Sequence, residues 1–149
     1  MKKFHLAQIN IGKAKSTMDS EVMKGFVARL DEINQLADTS PGFVWRLKDG
    51  DSAVSINAYE DPTILVNMSV WEDLESLKNY VYRSVHIEML KERNSWFTKM
   101  TDAHQALWWI PASRTPTVDE AKEKLKHFQE NGPSEYAFNF AKNFPAPAG

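Results

Sequence analysis

Two hydrophobic periodicities alternate along this chain in the order strand, helix, strand, strand, helix, strand, and few folds accommodate that order. Phe4 to Ile11 reads as the first strand, with Phe4, Leu6, Gln8 and Asn10 on one face and His5, Ala7, Ile9 and Ile11 on the other. Apolar residues on both faces predict that both are covered. Asp19 or Ser20 can cap a helix running to about Asp38, where Val22, Met23, Phe26, Leu30, Ile33 and Ala37 recur at helical spacing. Ser40-Pro41-Gly42 stops it. Phe43 to Leu47 is a second strand, followed by a turn at Lys48-Asp49-Gly50-Asp51 and a candidate short edge strand from Ala53 to Ala58. Thr63 to Trp71 is the most strand-like run. Ile64, Val66, Met68 and Val70 share one face; Leu65, Asn67, Ser69 and Trp71 share the other.

A second helix is predicted from near Glu72, with Leu74, Leu77, Tyr80 and Val81 facing inward. Arg83-Ser84 reads as a joint, with Ser84 capping a further helix through Phe97. His104 to Ile110 is the fourth strand, closed by Pro111. Thr117-Val118-Asp119-Glu120 is a capping box, and the helix it opens ends at Asn131-Gly132-Pro133. The whole is a ferredoxin-like α+β arrangement: a four-stranded antiparallel sheet with an extra C-terminal helix. Residues 1–143 are expected to form one domain, and 144–149 a loosely held Pro-rich tail. Helices on one face of such a sheet leave the other bare, and tryptophans at 45, 108 and 109 lie on its strands. This predicts a homodimer that pairs two sheets face to face, ahead of the alternative in which the C-terminal helix folds over that face.

Composition narrows the partners. A chain of 149 residues can bury a core without staples, and it has no cysteine, which removes disulfides, thiolate metal sites and cysteine nucleophiles. That suits a reducing cytoplasm. No apolar run approaches a membrane span, and the start reads as no signal peptide. Net charge is −2, with no basic stripe, so neither nucleic acid nor a membrane surface is an expected partner. Helical metal-site spacing, a Gly-rich phosphate loop and a nucleophile elbow are all missing.

Four segments carry a family resemblance: Ser40-Pro41-Gly42-Phe43-Val44-Trp45-Arg46-Leu47, Asn67-Met68-Ser69-Val70-Trp71-Glu72, Tyr82-Arg83-Ser84-Val85-His86 and Leu107-Trp108-Trp109-Ile110-Pro111. With Ala137-Phe138 and the Pro-rich tail, they resemble a bacterial family known only as a domain of unknown function. That family sits in the dimeric α/β-barrel superfamily, beside the antibiotic-biosynthesis monooxygenases. The resemblance implies a pocket between sheet and helices. It implies chemistry ranging from cofactor-free oxygenation of aromatics to haem degradation and small isomerisations, so the fold does not fix the reaction. In haem-degrading relatives, a helix histidine after the third strand ligates iron, assisted by a first-strand asparagine and a helix tryptophan. His86 falls in that region here, Asn10 or Gln8 would stand for the asparagine, and Tyr80 holds the tryptophan position.

His86 is the strongest candidate for chemistry: in a helix first turn its imidazole would be held neutral, as a general base or ligand requires. The competing role is a core or capping histidine. Tyr82 could donate to a substrate oxygen, or bond to backbone. Asn67 and Ser69 are polar residues in an apolar strand; a pocket lining and a wet dimer seam both account for them. Trp71 reads first as a packing anchor at a strand–helix corner, and Arg46 first as half of a salt bridge, although either could touch a substrate. The reading is a small-molecule-binding protein, with no cofactor, for an apolar or aromatic substrate. The catalytic candidates are His86, Tyr82 and Asn67, with Trp71, Arg46, Asn10 and Tyr80 around the ligand. Haem on His86 and a non-enzymatic binding domain are the alternatives.

Overall fold

A computed structural model of the chain describes residues 3–14, 21, 24, 35–47, 64–85, 97–98 and 105–147. The elements are β1 (Phe4–Ala14), β2 (Phe43–Arg46), β3 (Ile64–Trp71), α1 (Leu74–Val85), β4 (Phe97–Thr98), β5 (Gln105–Pro111) and α2 (Val118–Asn131), and residues 35–38 are also helical. The sheet is antiparallel in the order β2-β3-β1, with β5 and the short β4 following each other along the far side of β1. This is the ferredoxin-like order, with the fourth strand position filled in two pieces. The expected edge strand at 53–58, the start of the first helix, and His104 lie outside the described residues.

Both faces of the sheet are covered, as the two apolar faces of β1 require. On one face, Ala7, Ile9, Ile11, Val66, Met68, Val70, Ala106, Trp108 and Ile110 form a core with Ala121, Leu125 and Phe128 of α2. On the other, Leu6, Trp71 and Leu107 pack with Ala37, with Leu77 of α1 and with Phe138 from the C-terminal segment. Of the two covers expected for the first of these faces, a second subunit ahead of the C-terminal helix, the chain itself supplies the helix. α2 lies over β1 and β5. Its 14 residues span about 21 Å at the usual helical rise, enough to cross that half of the sheet. Trp108 Nε1 donates to Glu120 Oε2 at 2.8 Å, which ties the helix to β5.

Local chemistry explains the boundaries. Thr117 Oγ1 accepts from the Glu120 amide at 3.1 Å, and Gly132 closes α2 with φ 78° while its N–H bonds Phe128 O at 2.8 Å. The Glu120 carboxylate turns to Arg114 and Trp108, where a full capping box would have used it on Thr117. α1 begins at Leu74, two residues after the expected Glu72, because Asp73 Oδ1 accepts from both Ser76 N and Ser76 Oγ. Gly42, at φ 84°, lets the Ser40-Pro41-Gly42 turn pass against Ser76, and its carbonyl takes the Glu72 amide at 2.8 Å. Two boundaries downstream differ from expectation. Arg83 and Ser84 are helical residues inside α1, so Ser84 is not a cap, and the body of the further helix expected after it lies outside the described residues. Phe97 lies in β4, paired with Ala14, where a helix was expected. The C-terminal segment returns to the sheet through a bridge between Phe138 and Leu107, and Trp109 Nε1 donates to Phe144 O at 2.9 Å.

Candidate functional site

The β-sheet register sorts the α1 side of the sheet into three cross-strand rows. The first is Trp109, Leu6, Trp71 and Phe43; the second is Leu107, Gln8, Ser69 and Arg46; the third is Gln105, Asn10 and Asn67. The face thus grades from aromatic and apolar to amide. In the first row Trp71 is fully buried, with the Tyr80 ring of α1 stacked on it at 5.0 Å and the Phe43 ring edge-on at 5.5 Å. This bears out Trp71 as the packing anchor of its corner. It also joins Trp71 and Tyr80 as one aromatic wall.

A hydrogen-bond network links the rows. Trp71 Nε1 donates to Ser69 Oγ at 2.8 Å. Gln8 Nε2 donates to the same oxygen at 2.8 Å and to Asn67 Oδ1 at 2.7 Å. Gln8 is 5% exposed and Ser69 6%, whereas Asn67 is exposed and Asn10 beside it is half-buried. Polar side chains this deep must be bonded to be tolerated, and each of these is. The network therefore runs from the buried indole to the one amide that meets solvent.

Arg46 shares the second row, but its Nε and Nη2 donate to Asp38 Oδ1 at 2.7 Å and Oδ2 at 3.2 Å. It clamps β2 to the helical residues at 35–38, the salt-bridge role expected first for it. The other side chains of the second and third rows are amides, a hydroxyl and Leu107, so the floor is uncharged. A charge pair lies on the opposite face, where Arg114 donates to both Glu120 oxygens at 2.6 and 2.8 Å. Burial there would raise the Glu120 carboxyl, but hydrogen bonds from Arg114 and Trp108 outweigh it and hold the group below its ordinary value.

The sequence-predicted residues thus divide. Asn67, Asn10, Trp71 and Tyr80 come together on one face with Gln8 and Ser69, and Arg46 stands at its edge, engaged with Asp38. Tyr82 lies in α1 with its side chain outside the described residues, and His86 is outside them altogether, as is the haem alternative that rests on it. Among the described residues no three His, Cys, Asp or Glu side chains group as metal ligands would. Sequence reasoning weighed Gln8 only as a substitute for Asn10 and overlooked Gln105. Its signal was there: a long amide in the middle of an apolar strand face.

The family profile described as a domain of unknown function, DUF3291, matches residues 5–149. No curated protein matches the chain in sequence. Among solved structures, PA3566 from Pseudomonas aeruginosa superposes with a TM-score of 0.50 at 9% identity, over 78% of this chain and 99% of that one. An asparagine-to-alanine variant of SnoaB, a cofactor-independent oxygenase from Streptomyces nogalater, gives 0.47 at 12% identity, over 74% of this chain and 95% of that one. NE2512 of Nitrosomonas europaea, a protein of unknown function, gives 0.49 at 12% identity, over 78% and 99% of the two chains. The chain belongs to the DUF3291 family, and it shares its fold with PA3566.

Proposed function

We propose that this protein binds a small apolar or aromatic molecule bearing an oxygen substituent against the amide end of the α1-side sheet face, and oxygenates it without a cofactor. The observation that supports this most is the buried network that ends at the exposed Asn67 amide. Packing alone would be served as well by apolar side chains at positions 8 and 69. A network that reaches the surface at one amide is suited to holding that amide still for a ligand. In this reading the substrate ring lies beyond the Trp71–Tyr80 wall, and its oxygen accepts from Asn67 with Asn10 alongside. As the substrate loses a proton, charge gathers on that oxygen and the amide donor stabilises it. The floor is uncharged, so the base comes from elsewhere; we assign it to His86, with Tyr82 as a second donor. Molecular oxygen adds at the electron-rich C–H carbon to give a hydroperoxide. Loss of one water then leaves a carbonyl, so oxygen is the only oxidant consumed. Arg46 anchors the sheet edge in this account and does not meet the ligand.

The homodimer implied by the family resemblance belongs to the same proposal. Light scattering would then give twice the 17.1 kDa chain mass.

The test is oxygen uptake by the purified chain with a panel of naphthols and hydroxynaphthoquinones and no added cofactor. Uptake with one ring class is expected, falling at least about tenfold in Asn67→Ala. Tight binding of a ring compound without any uptake would leave a binding protein and remove the oxygenase reading. No binding at all would remove both.

A further inference from the structure

We infer that Gln8 is a positioning residue that fixes which end of the Asn67 amide faces the ligand, and so sets the site to take a hydrogen-bond acceptor, above all an oxyanion. This deepens the reading proposed above and rests on it. The inference starts at Trp71, whose indole N–H can only donate. It gives its hydrogen to Ser69 Oγ at 2.8 Å. Gln8 Nε2 gives one hydrogen to the same oxygen at 2.8 Å and its other to Asn67 Oδ1 at 2.7 Å. With its carbonyl oxygen held from below, Asn67 has its NH2 group left to present, and Asn67 is the exposed member of the network. Gln8 is 5% exposed and sits between register partners Ser69 and Leu107 on the central strand, so packing and pairing limit its freedom to turn. Its role is held from a depth at which it need not touch the ligand.

Two isosteric substitutions separate this role from mere packing. Gln8→Glu replaces the nitrogen that faces Asn67 by an oxygen that only accepts. Asn67 must then turn its NH2 inward and its carbonyl outward. Asn67→Asp keeps the acceptor for Gln8 and replaces the outward donor with an oxygen. The first readout needs no ligand: solvent exchange of the Asn67 side-chain NH2 protons in 15N-labelled protein, with the Trp71 indole signal as the folding control. Exchange is expected to be fast in the natural protein and slowed by at least about tenfold in Gln8→Glu, because those protons become buried in a charge-assisted bond. The second readout is quenching of tryptophan fluorescence by 2-hydroxy-1,4-naphthoquinone, ionised at neutral pH, and by neutral 1,4-naphthoquinone. The natural protein should prefer the anion, and both variants should lose about tenfold or more of that preference while still binding the neutral ring. Equal anion preference in natural protein and variants, or Asn67 exchange unchanged by Gln8→Glu, would overturn the positioning role. Failure of the natural protein to bind either quinone would instead overturn the binding reading beneath it. Should Gln8→Glu not fold, Asn67→Asp alone decides the ligand preference.

Discussion

Removal of one oxygen atom, in Ser69→Ala, should destabilise this protein more than its small change in volume suggests. Ser69 Oγ receives two donors, the Trp71 indole and one hydrogen of Gln8, in a site where Trp71 is 0% and Gln8 5% exposed. Leaving a buried donor without a partner costs about 1–3 kcal/mol, so two such donors together cost about 2–6 kcal/mol. For a domain near this size, a loss of about 3 kcal/mol lowers Tm by roughly 6–12 °C. Gln8→Met in the same background removes one of the stranded donors. The pair should therefore be non-additive, with the double variant at least about 1 kcal/mol more stable than the sum of the singles. Urea unfolding followed by tryptophan fluorescence and by far-ultraviolet circular dichroism measures all four proteins. A loss below about 0.5 kcal/mol for Ser69→Ala, or strict additivity with Gln8→Met, would show that Ser69 is not the shared acceptor, since surface-like substitutions fall in that range.

Other expectations use the same measurement. Gly42→Ala forces an alanine to φ 84° and drives its methyl into Ser76, so a loss of at least about 2 kcal/mol is expected in the urea midpoint. Leu125→Ala opens a cavity under α2 and should cost about 2–5 kcal/mol, while leaving ligand binding at the Asn67 end unchanged within error, because α2 lies on the other face. Arg46→Ala breaks a partly exposed pair with Asp38, should cost about 1 kcal/mol or less, and should not weaken quinone binding by more than a few-fold. Glu120 titrates below its ordinary value in the folded state, so its contribution is complete above the unfolded carboxylate pKa and is lost as pH falls through the folded one. Glu120→Gln should accordingly narrow the stability gap between natural protein and variant below about pH 4, in melts recorded from pH 3 to pH 7.

The register of the sheet was readable in advance wherever alternation was strict. In β3, Asn67, Ser69 and Trp71 were assigned to one face and Val66, Met68 and Val70 to the other, and the pairing with β1 keeps that division. The capped ends of α2 were readable for the same reason: Thr117 and Gly132 act through local backbone chemistry. What covers a face is decided by distant segments, and local pattern does not carry it. The apolar stripe of α2 at Ala121, Leu125 and Phe128 meets Ala7 and Ile9, well over 100 residues earlier, and Trp108 on the preceding strand. Ser84 lies within α1 and is not a cap, because a serine in the last turn of a helix looks, in sequence, like a serine before one. For the site, the polar positions of β3 stood out, but their meaning came from Gln8. A side chain on β1 selects which atoms of Ser69 and Asn67 are already in use, and only the three-dimensional pairing of β1 with β3 brings them into contact.

The most direct test of the site is a ligand titration watched at side-chain amides. In 15N-labelled protein, addition of 2-hydroxy-1,4-naphthoquinone should shift the side-chain NH2 signals of Asn67, Asn10 and Gln8 and the Trp71 indole N–H. The backbone amides of Ala121, Leu125 and Phe128 of α2, on the other face of the sheet, should stay in place. Shifts confined to the α2 face, or a shift pattern that leaves Asn67 and Gln8 untouched at saturation, would contradict the account.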